Sequence, residues 1–468
     1  REDIAPIAKE NGLDPYVTGP GGLFGDLFAA FGTIDSTLLL TTLGVVAVIL
    51  IVVYRSPILW IIPLVSALFA LTMAGGIVYL LAKNDIIDVD GQSQGILSIL
   101  VIGAATDYAL LLIARYREEL HLHESRFDAM RAAYKGVWEP ILASGSTVAI
   151  SLLILLFSQL SNTAGLGPVG AIGIVCAMFT ILTLLPALLL VFGRWIFWPR
   201  KPLHDGDDHV MTGMWSKVGL TVGRNPRKAW VVTGSVLLLF AFASTTLKTD
   251  GLGTIDTFTG NPESVVGQKK LETHFPGGQG DPTQVVFSAS KIDQMSAALK
   301  SAPGVTEITP QLAGLPIPGQ PLPDVAEVNG KVILNLTLNR APDSVEAGND
   351  VPEIRRIAKS VDPSALVGGT SAVYFDVRTA NAQDNRTIIP IVLLVITLIL
   401  GLLLRSILSA ILLLATVVLS YFATLGVCAL VFNHIFGFPG GDNSFPLFAF
   451  IFLVALGIDY NIFLMTRV

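Results

Sequence analysis

The sequence predicts a polytopic α-helical membrane protein of two parallel repeats, carrying an α+β domain of βαββαβ, ferredoxin-like order outside the bilayer. Three observations predict it: long apolar blocks, a polar stretch too long for a loop, and self-similarity at an offset of about 350 residues. Hydrophobic residues make up 52% of the 468 positions and charged residues 14%, which excludes an ordinary soluble enzyme. The formal charge of −6 gives no basic footprint for nucleic acid. Both cysteines, Cys176 and Cys428, lie inside apolar blocks, so the polar stretch has no disulfide framework.

Nine blocks read as membrane-spanning helices, at 34–54, 58–82, 94–115, 141–159, 168–197, 228–247, 387–404, 407–433 and 445–466. The 168–197 block is long for one span, and its end, Phe192 to Trp198, reads as running along the interface. Basic residues set the orientation. One set of connections holds Arg55, Arg115, Arg117, Arg126, Arg131, Lys135, Arg194, Lys217, Arg224, Arg227, Arg405 and Arg467, whereas the opposite short loops hold only Lys83. All six tryptophans lie at or near the basic side, as interfacial anchors do. The basic side is therefore expected to face the cytoplasm across the plasma (inner) membrane, with residues 1–33 and 248–386 outside.

Residues 248–386 are too many for an unstructured connection. They read as strand Gln284–Ser288, helix Asp293–Lys300, strands Val305–Thr309 and Lys331–Leu338, helix Val351–Ser360 and strand Ala365–Gly369. The Pro- and Gly-rich run Pro310–Pro323 reads as a surface loop.

The segment Gly103-Ala-Ala-Thr-Asp107-Tyr108, ending at Arg115, recurs as Ala455-Leu-Gly-Ile-Asp459-Tyr460, ending at Arg467. Arg55-Ser56 recurs as Arg405-Ser406, and Gly19 and Asp26 as Gly369 and Asp376, each 350 residues on. The repeat makes residues 1–33 the C-terminal remnant of a first exterior domain. It makes 34–197 helices 2–6, 198–227 a cytoplasmic linker, 228–247 helix 7, 248–386 the second exterior domain and 387–468 helices 8–10. One leading and two trailing helices would complete a protein of about twelve spans.

Charged side chains are almost absent at mid-membrane depth; the exceptions are Asp107 and Asp459. Eight residues separate each from its arginine, which places the carboxyl roughly 12 Å inside the hydrocarbon layer. An ionised Asp there costs about 2.5–3.5 kcal/mol on insertion scales. Such a group can load a proton from one side and release it to the other, and the hydroxyls of Tyr108 and Tyr460 can follow its change of state. A single such Asp can equally lock two helices together; two Asp-Tyr pairs at matched places in a repeat favour proton chemistry. Ser144, Ser146, Thr147 and Ser151 could face the carboxyls, although such hydroxyls usually bond within the helix bundle. Gly75-Gly76, Gly167, Gly170 and Gly173 read as close helix contacts. The six histidines lack ligand spacing, so no metal or cofactor is expected. No phosphate loop is present, which points to a gradient rather than ATP as the energy source.

The Gly103–Tyr108 segment with Arg115-Tyr-Arg117-Glu118-Glu119, and Gly457-Ile-Asp459-Tyr460, resemble helices four and ten of the MmpL (mycobacterial membrane protein large) transporters of the resistance–nodulation–division (RND) superfamily. The resemblance covers essentially the whole chain. It implies an RND-type fold and a proton relay of Asp107, Tyr108, Asp459 and Tyr460. It also implies support from Ser151, through the pattern Gly145-Ser-Thr147-Val148-Ala-Ile-Ser151, and from Phe463, one turn after Asp459; Leu111 departs from the usual aromatic. The adjacent acids and lysine of the drug-efflux branch are missing. The expectation is a secondary transporter, not an enzyme. It would export a lipid or glycolipid, for example of the trehalose monomycolate type, to the actinobacterial envelope, as a monomer or trimer with accessory envelope proteins. Multidrug efflux, and a sterol-sensing-type receptor or a protein-translocation auxiliary on the same fold, are the alternatives.

Overall fold

The computed structural model describes residues 4–199, 202, 214–258, 260–275, 277–314 and 321–465. In chain order come α1 (Ile4–Glu10), α2 (Gly19–Tyr54), α3 (Ile61–Lys83), α4 (Gly91–Leu122), α5 (Arg126–Leu153), α6 (Ser161–Phe192), α7 (Met214–Arg224) and α8 (Pro226–Ala243). There follow α9 (Glu263–Glu272), β1 (Thr283–Ser288), α10 (Ile292–Leu299), β2 (Val305–Pro310), β3 (Lys331–Leu338), α11 (Val345–Val361) and β4 (Leu366–Gly368). The chain ends in α12 (Thr370–Leu404), α13 (Ile407–Val431) and α14 (Phe445–Met465). Two compact units result: residues 1–32, 248–382 and 437–443 form one, and 33–247, 383–436 and 444–468 the other.

The first unit is built on an antiparallel sheet of order β2-β3-β1-β4, in which β3 separates β1 from β2 and β1 separates β3 from β4. That interleaving is the split βαβ arrangement expected for βαββαβ. Alternate residues of each central strand, Val285 and Phe287 of β1 and Val332, Leu334 and Leu336 of β3, turn inward. They meet Met295 and Leu299 of α10 and Ile354 and Ala358 of α11. Helix α11 starts earlier than its apolar residues suggest, because Ser344 caps it by accepting from the Ala347 amide at 3.1 Å. Asp362 ties the end of β1 to the turn before β4, accepting from the amides of Ser288 and Ser364, both at 3.0 Å. These bonds, the Ser288 amide first, hold its carboxyl well below the usual carboxylate range. Residues near the N-terminus join this unit through Thr18, which donates to the Ser264 carbonyl at 2.8 Å. In the Pro310–Pro323 loop, residues 315–320 lie outside the described residues; before and after them, Leu312 and Val325 form a bridge.

The second unit is helical, and among the described residues eight helices are long and apolar enough to cross a membrane. Helix α14, 21 residues and almost wholly apolar, covers the ninth block. Helix α4 packs on α3, α5 and α6, helix α13 on α8 and α14, and α14 on α5. Several helices outrun the blocks read from hydropathy. Helix α5 begins at Arg126 rather than near 141, since Ala129, Met130, Ala133 and Val137 recur at helical spacing and are buried among charged neighbours. Helix α6 begins at Ser161, with Pro168 inside it; membrane helices tolerate such a proline. It stops at Phe192, where Gly193 takes a left-handed φ of 56°. Arg194 then donates to the carbonyls of Leu120, His123 and Glu124 at 3.0, 2.5 and 3.1 Å, closing the C-terminus of α4. On α6, a Cβ at Gly167 would stand 2.7 Å from the Leu152 carbonyl, and one at Gly173 would stand 2.6 Å from Leu97, so both serve close packing. Gly75 and Gly76 do not: a Cβ on either meets nothing within 4 Å.

The repeat is visible in the backbone. Gly19 and Gly369 both have left-handed φ, 75° and 94°, and stand where helices of 36 and 35 residues begin. Those helices end at Arg55 and Arg405, again both left-handed at 52° and 50°. A serine follows each: the Ser56 Oγ accepts from the Leu59 amide at 3.3 Å and the Ser406 Oγ from the Ser409 amide at 3.3 Å.

Candidate functional site

Asp107 and Tyr108 are consecutive on α4, so their side chains leave the helix about 100° apart and reach different neighbours. The Tyr460 hydroxyl on α14 donates to the half-buried Asp107 carboxyl. Tyr108, 1% exposed, instead meets α5, where the Ser144 Oγ donates to its hydroxyl at 3.3 Å. The preceding Thr106 spends its hydroxyl on α4 itself, donating to the carbonyls of Ile102 and Gly103 at 2.8 and 2.9 Å. The two Asp-Tyr motifs thus meet across α4 and α14, the corresponding helices of the two repeats.

Helix α5 presents Ser144, Thr147 and Ser151 on one buried face. Thr147 donates to the Ala143 carbonyl and Ser151 to the Thr147 carbonyl, each at 2.8 Å. Ser144 is therefore the hydroxyl brought to the tyrosine, and Ser151 stands two turns along the same face. Ser146 points away and is exposed. Gly145 lets α5 lie tight on α6, since a Cβ there would run into the Met178 sulfur. Asp459 and Phe463 belong to α14, but their side chains lie outside the described residues. Arg115, at the end of the first motif, pairs with Glu118 at 2.9 Å and with the buried Glu119 at 2.6 Å.

Chemically, the site is a carboxyl with a phenol donor from the other repeat. Protonating the carboxyl turns an acceptor into a donor, so the Asp107–Tyr460 bond must weaken or reverse. A change of proton occupancy is thereby a change in how two helices are held.

The profile of the MMPL family matches residues 2–229 and 257–468. The chain belongs to the MMPL family. The resemblance carried by the two Asp-Tyr motifs is borne out. Among MMPL relatives, the Streptomyces coelicolor membrane protein ActII-3 is 46% identical over 466 residues, covering 99% of this chain and 64% of that protein. The apo-petrobactin exporter of Bacillus anthracis is 31% identical over 486 residues, covering 98% and 64%. The MMPL chain described here thus spans 64% of the length of either relative. SecDF, a translocon-associated membrane protein of Thermus thermophilus, shares the fold: TM-score 0.50, 14% identity, 92% of this chain and 50% of that one.

In the helical unit, a buried acid escaped the sequence reading. Asp384, 2% exposed, lies three residues before the 387–404 block, which hid it from a search for charge inside spans. The signal was present in the spacing, because Asp384 continues the buried stripe Ile388, Val392, Ile396 and Leu400.

Proposed function

We propose that this protein is a secondary transporter that exports a lipid, glycolipid or similar amphipathic molecule from the plasma membrane, driven by protons passing through a relay of Asp107, Tyr108, Asp459 and Tyr460. The observation that carries the reading is the hydrogen bond from Tyr460 to Asp107, which joins equivalent helices of the repeat at an intramembrane acid. Each proton descending the gradient supplies about 2.3 kcal/mol per 100 mV, enough to switch a helix contact held by one or two hydrogen bonds. The basic connections face the cytoplasm in this reading, and the α+β unit faces outward, where substrate is received and passed on. Ser151 and Phe463 support the relay from α5 and α14. The relative named as an exporter of apo-petrobactin supports the direction of transport. Multidrug efflux shares this energy source and differs in cargo. A sterol-sensing-type receptor has no need of two matched acids, which counts against it.

The test is analysis of envelope lipids and secreted metabolites in cells carrying Asp107→Asn or Asp459→Asn at wild-type membrane abundance. Loss of one exported species with its accumulation inside supports the proposal. Unchanged export in both variants overturns the proton relay, and drug sensitivity with unchanged lipids replaces lipid export by drug efflux.

A further inference from the structure

The helical unit holds an acid that the proposed relay does not use. The Asp384 carboxylate on α12 accepts from the Ser158 Oγ at 2.5 Å and from the Gln159 amide at 3.1 Å. Ser158 follows the short 3-10 turn Ile154–Phe157 that closes α5, and its Oγ also accepts from the Leu160 amide at 3.1 Å, one residue before α6. A carboxylate of the second repeat therefore holds the α5–α6 connection of the first. At the position 350 residues earlier the sequence has Ile34.

Two further features bear on what this clasp does. Ser144, which meets Tyr108, lies nine residues before the end of α5, and Ser158 follows five residues after that end, roughly 20 Å further along. A shift of α5 at the Asp-Tyr site would carry Ser158, and with it the bonds to Asp384. Helix α12, for its part, carries Pro390 six residues after Asp384. Proline has no amide hydrogen for the Arg386 carbonyl, so the helix can bend there. The helix runs on through Pro390, and Ile388, Val392, Ile396 and Leu400 are fully buried and fix this part of it. Before it, residues 370–382 of the same helix belong to the α+β unit. Asp384 sits where a pull bends one part of α12 against the other.

We infer that Asp384 is a positioning residue that passes movement of α5 to α12, so that proton binding at Asp107 reaches the α+β unit. The inference rests on the relay reading. Among the described residues, the titratable group bonded to Asp107 is Tyr460 from α14; the inference requires no titration of Asp384.

The test uses the whole protein with Cys176→Ala and Cys428→Ala, labelled with a fluorophore at Val373→Cys, an exposed position on α12. It is reconstituted in phosphatidylethanolamine–phosphatidylglycerol vesicles containing a pH dye, and a proton gradient is imposed. The unmodified site moves protons and shifts the fluorophore. Asp384→Leu, which removes both acceptors, keeps proton movement within about twofold and loses at least about four-fifths of the shift. Asp384→Asn, whose amide can accept from Gln159 and donate to Ser158, keeps at least about half. Asp107→Asn loses both signals. A wild-type shift in Asp384→Leu overturns the inference and leaves the relay standing, as does joint loss of both signals in Asp384→Leu and Asp384→Asn. Wild-type proton movement in Asp107→Asn sinks the relay and the inference with it. Should Asp384→Leu not fold, Ser158→Ala breaks one of the two bonds, and an unchanged shift there is equally fatal.

Discussion

The two repeats share a scaffold and divide the working parts between them. Their long helices start at left-handed glycines, end at left-handed arginines and are followed by a capping serine. Yet Tyr108 meets Ser144 of α5, while its counterpart Tyr460 reaches across to Asp107. Gly76 faces open space, while its counterpart Gly426 lies against the Phe240 carbonyl of α8. Asp384 and Pro390 of α12 correspond to Ile34 and Leu40 of α2. Duplication preserves backbone geometry, because caps and left-handed turns depend on local sequence. It does not preserve side-chain environments, because those depend on which helices surround each copy.

The largest effect should come from the acid shared by the two motifs. Asp107→Asn is expected to cut transport by at least about a hundredfold, since an amide at this position cannot take up and pass on the proton. The tyrosines should then separate the repeats. Tyr460→Phe removes a bond to a charged group, worth about 1.5–3 kcal/mol, and should cost about tenfold or more. Tyr108→Phe removes a long bond from Ser144 between uncharged groups, worth about 1 kcal/mol, and should cost less than Tyr460→Phe, about fivefold. Transport rates in reconstituted vesicles measure all three, and equal losses at the two tyrosines would mean that the repeats share the work evenly.

The glycines test the packing side of the comparison. Gly426→Ala drives a methyl group into backbone, which cannot rotate away as a side chain can, so α8 must move off α13. Overpacking of this kind costs about 1–3 kcal/mol, read as a lowered melting temperature. Gly76→Ala meets nothing among the described residues and should be neutral in this chain.

Much of this was legible beforehand, for physical reasons. Apolar blocks of spanning length, a βαββαβ order with turn residues between strands, and two Asp-Tyr motifs in one repeat are patterns that survive without tertiary information. Helix ends were not legible where charged residues extend a buried stripe, as in α5 before residue 141. Ser144 could not be separated from Ser151 because both lie on one face of α5, and which of them meets Tyr108 depends on the register of α4 against α5. Asp384 was missed because it stands just outside an apolar block; its burial comes from the α5–α6 connection, far away in sequence.

The smallest predicted effect lies in the α+β unit and shows whether it answers to pH separately from the helices. Asp362 is 4% exposed, and the amides of Ser288 and Ser364 hold its folded carboxyl below the ordinary value. A depressed carboxyl stabilises the fold above the unfolded pKa of about 3.9 and loses that contribution as pH falls toward the folded value. Asp362→Ala should therefore lower the melting temperature of this unit at pH 7, and the gap between variant and wild type should shrink by about a third at pH 3. Thermal scans at the two pH values check this, with tryptophan fluorescence kept as a reporter of the helices, because all six tryptophans lie outside residues 248–382. A gap that stays constant with pH would mean that Asp362 acts through shape alone. A gap that appears equally in the tryptophan signal would mean that the two units unfold as one, and that the α+β domain has no separate stability for a proton-driven helix movement to work against.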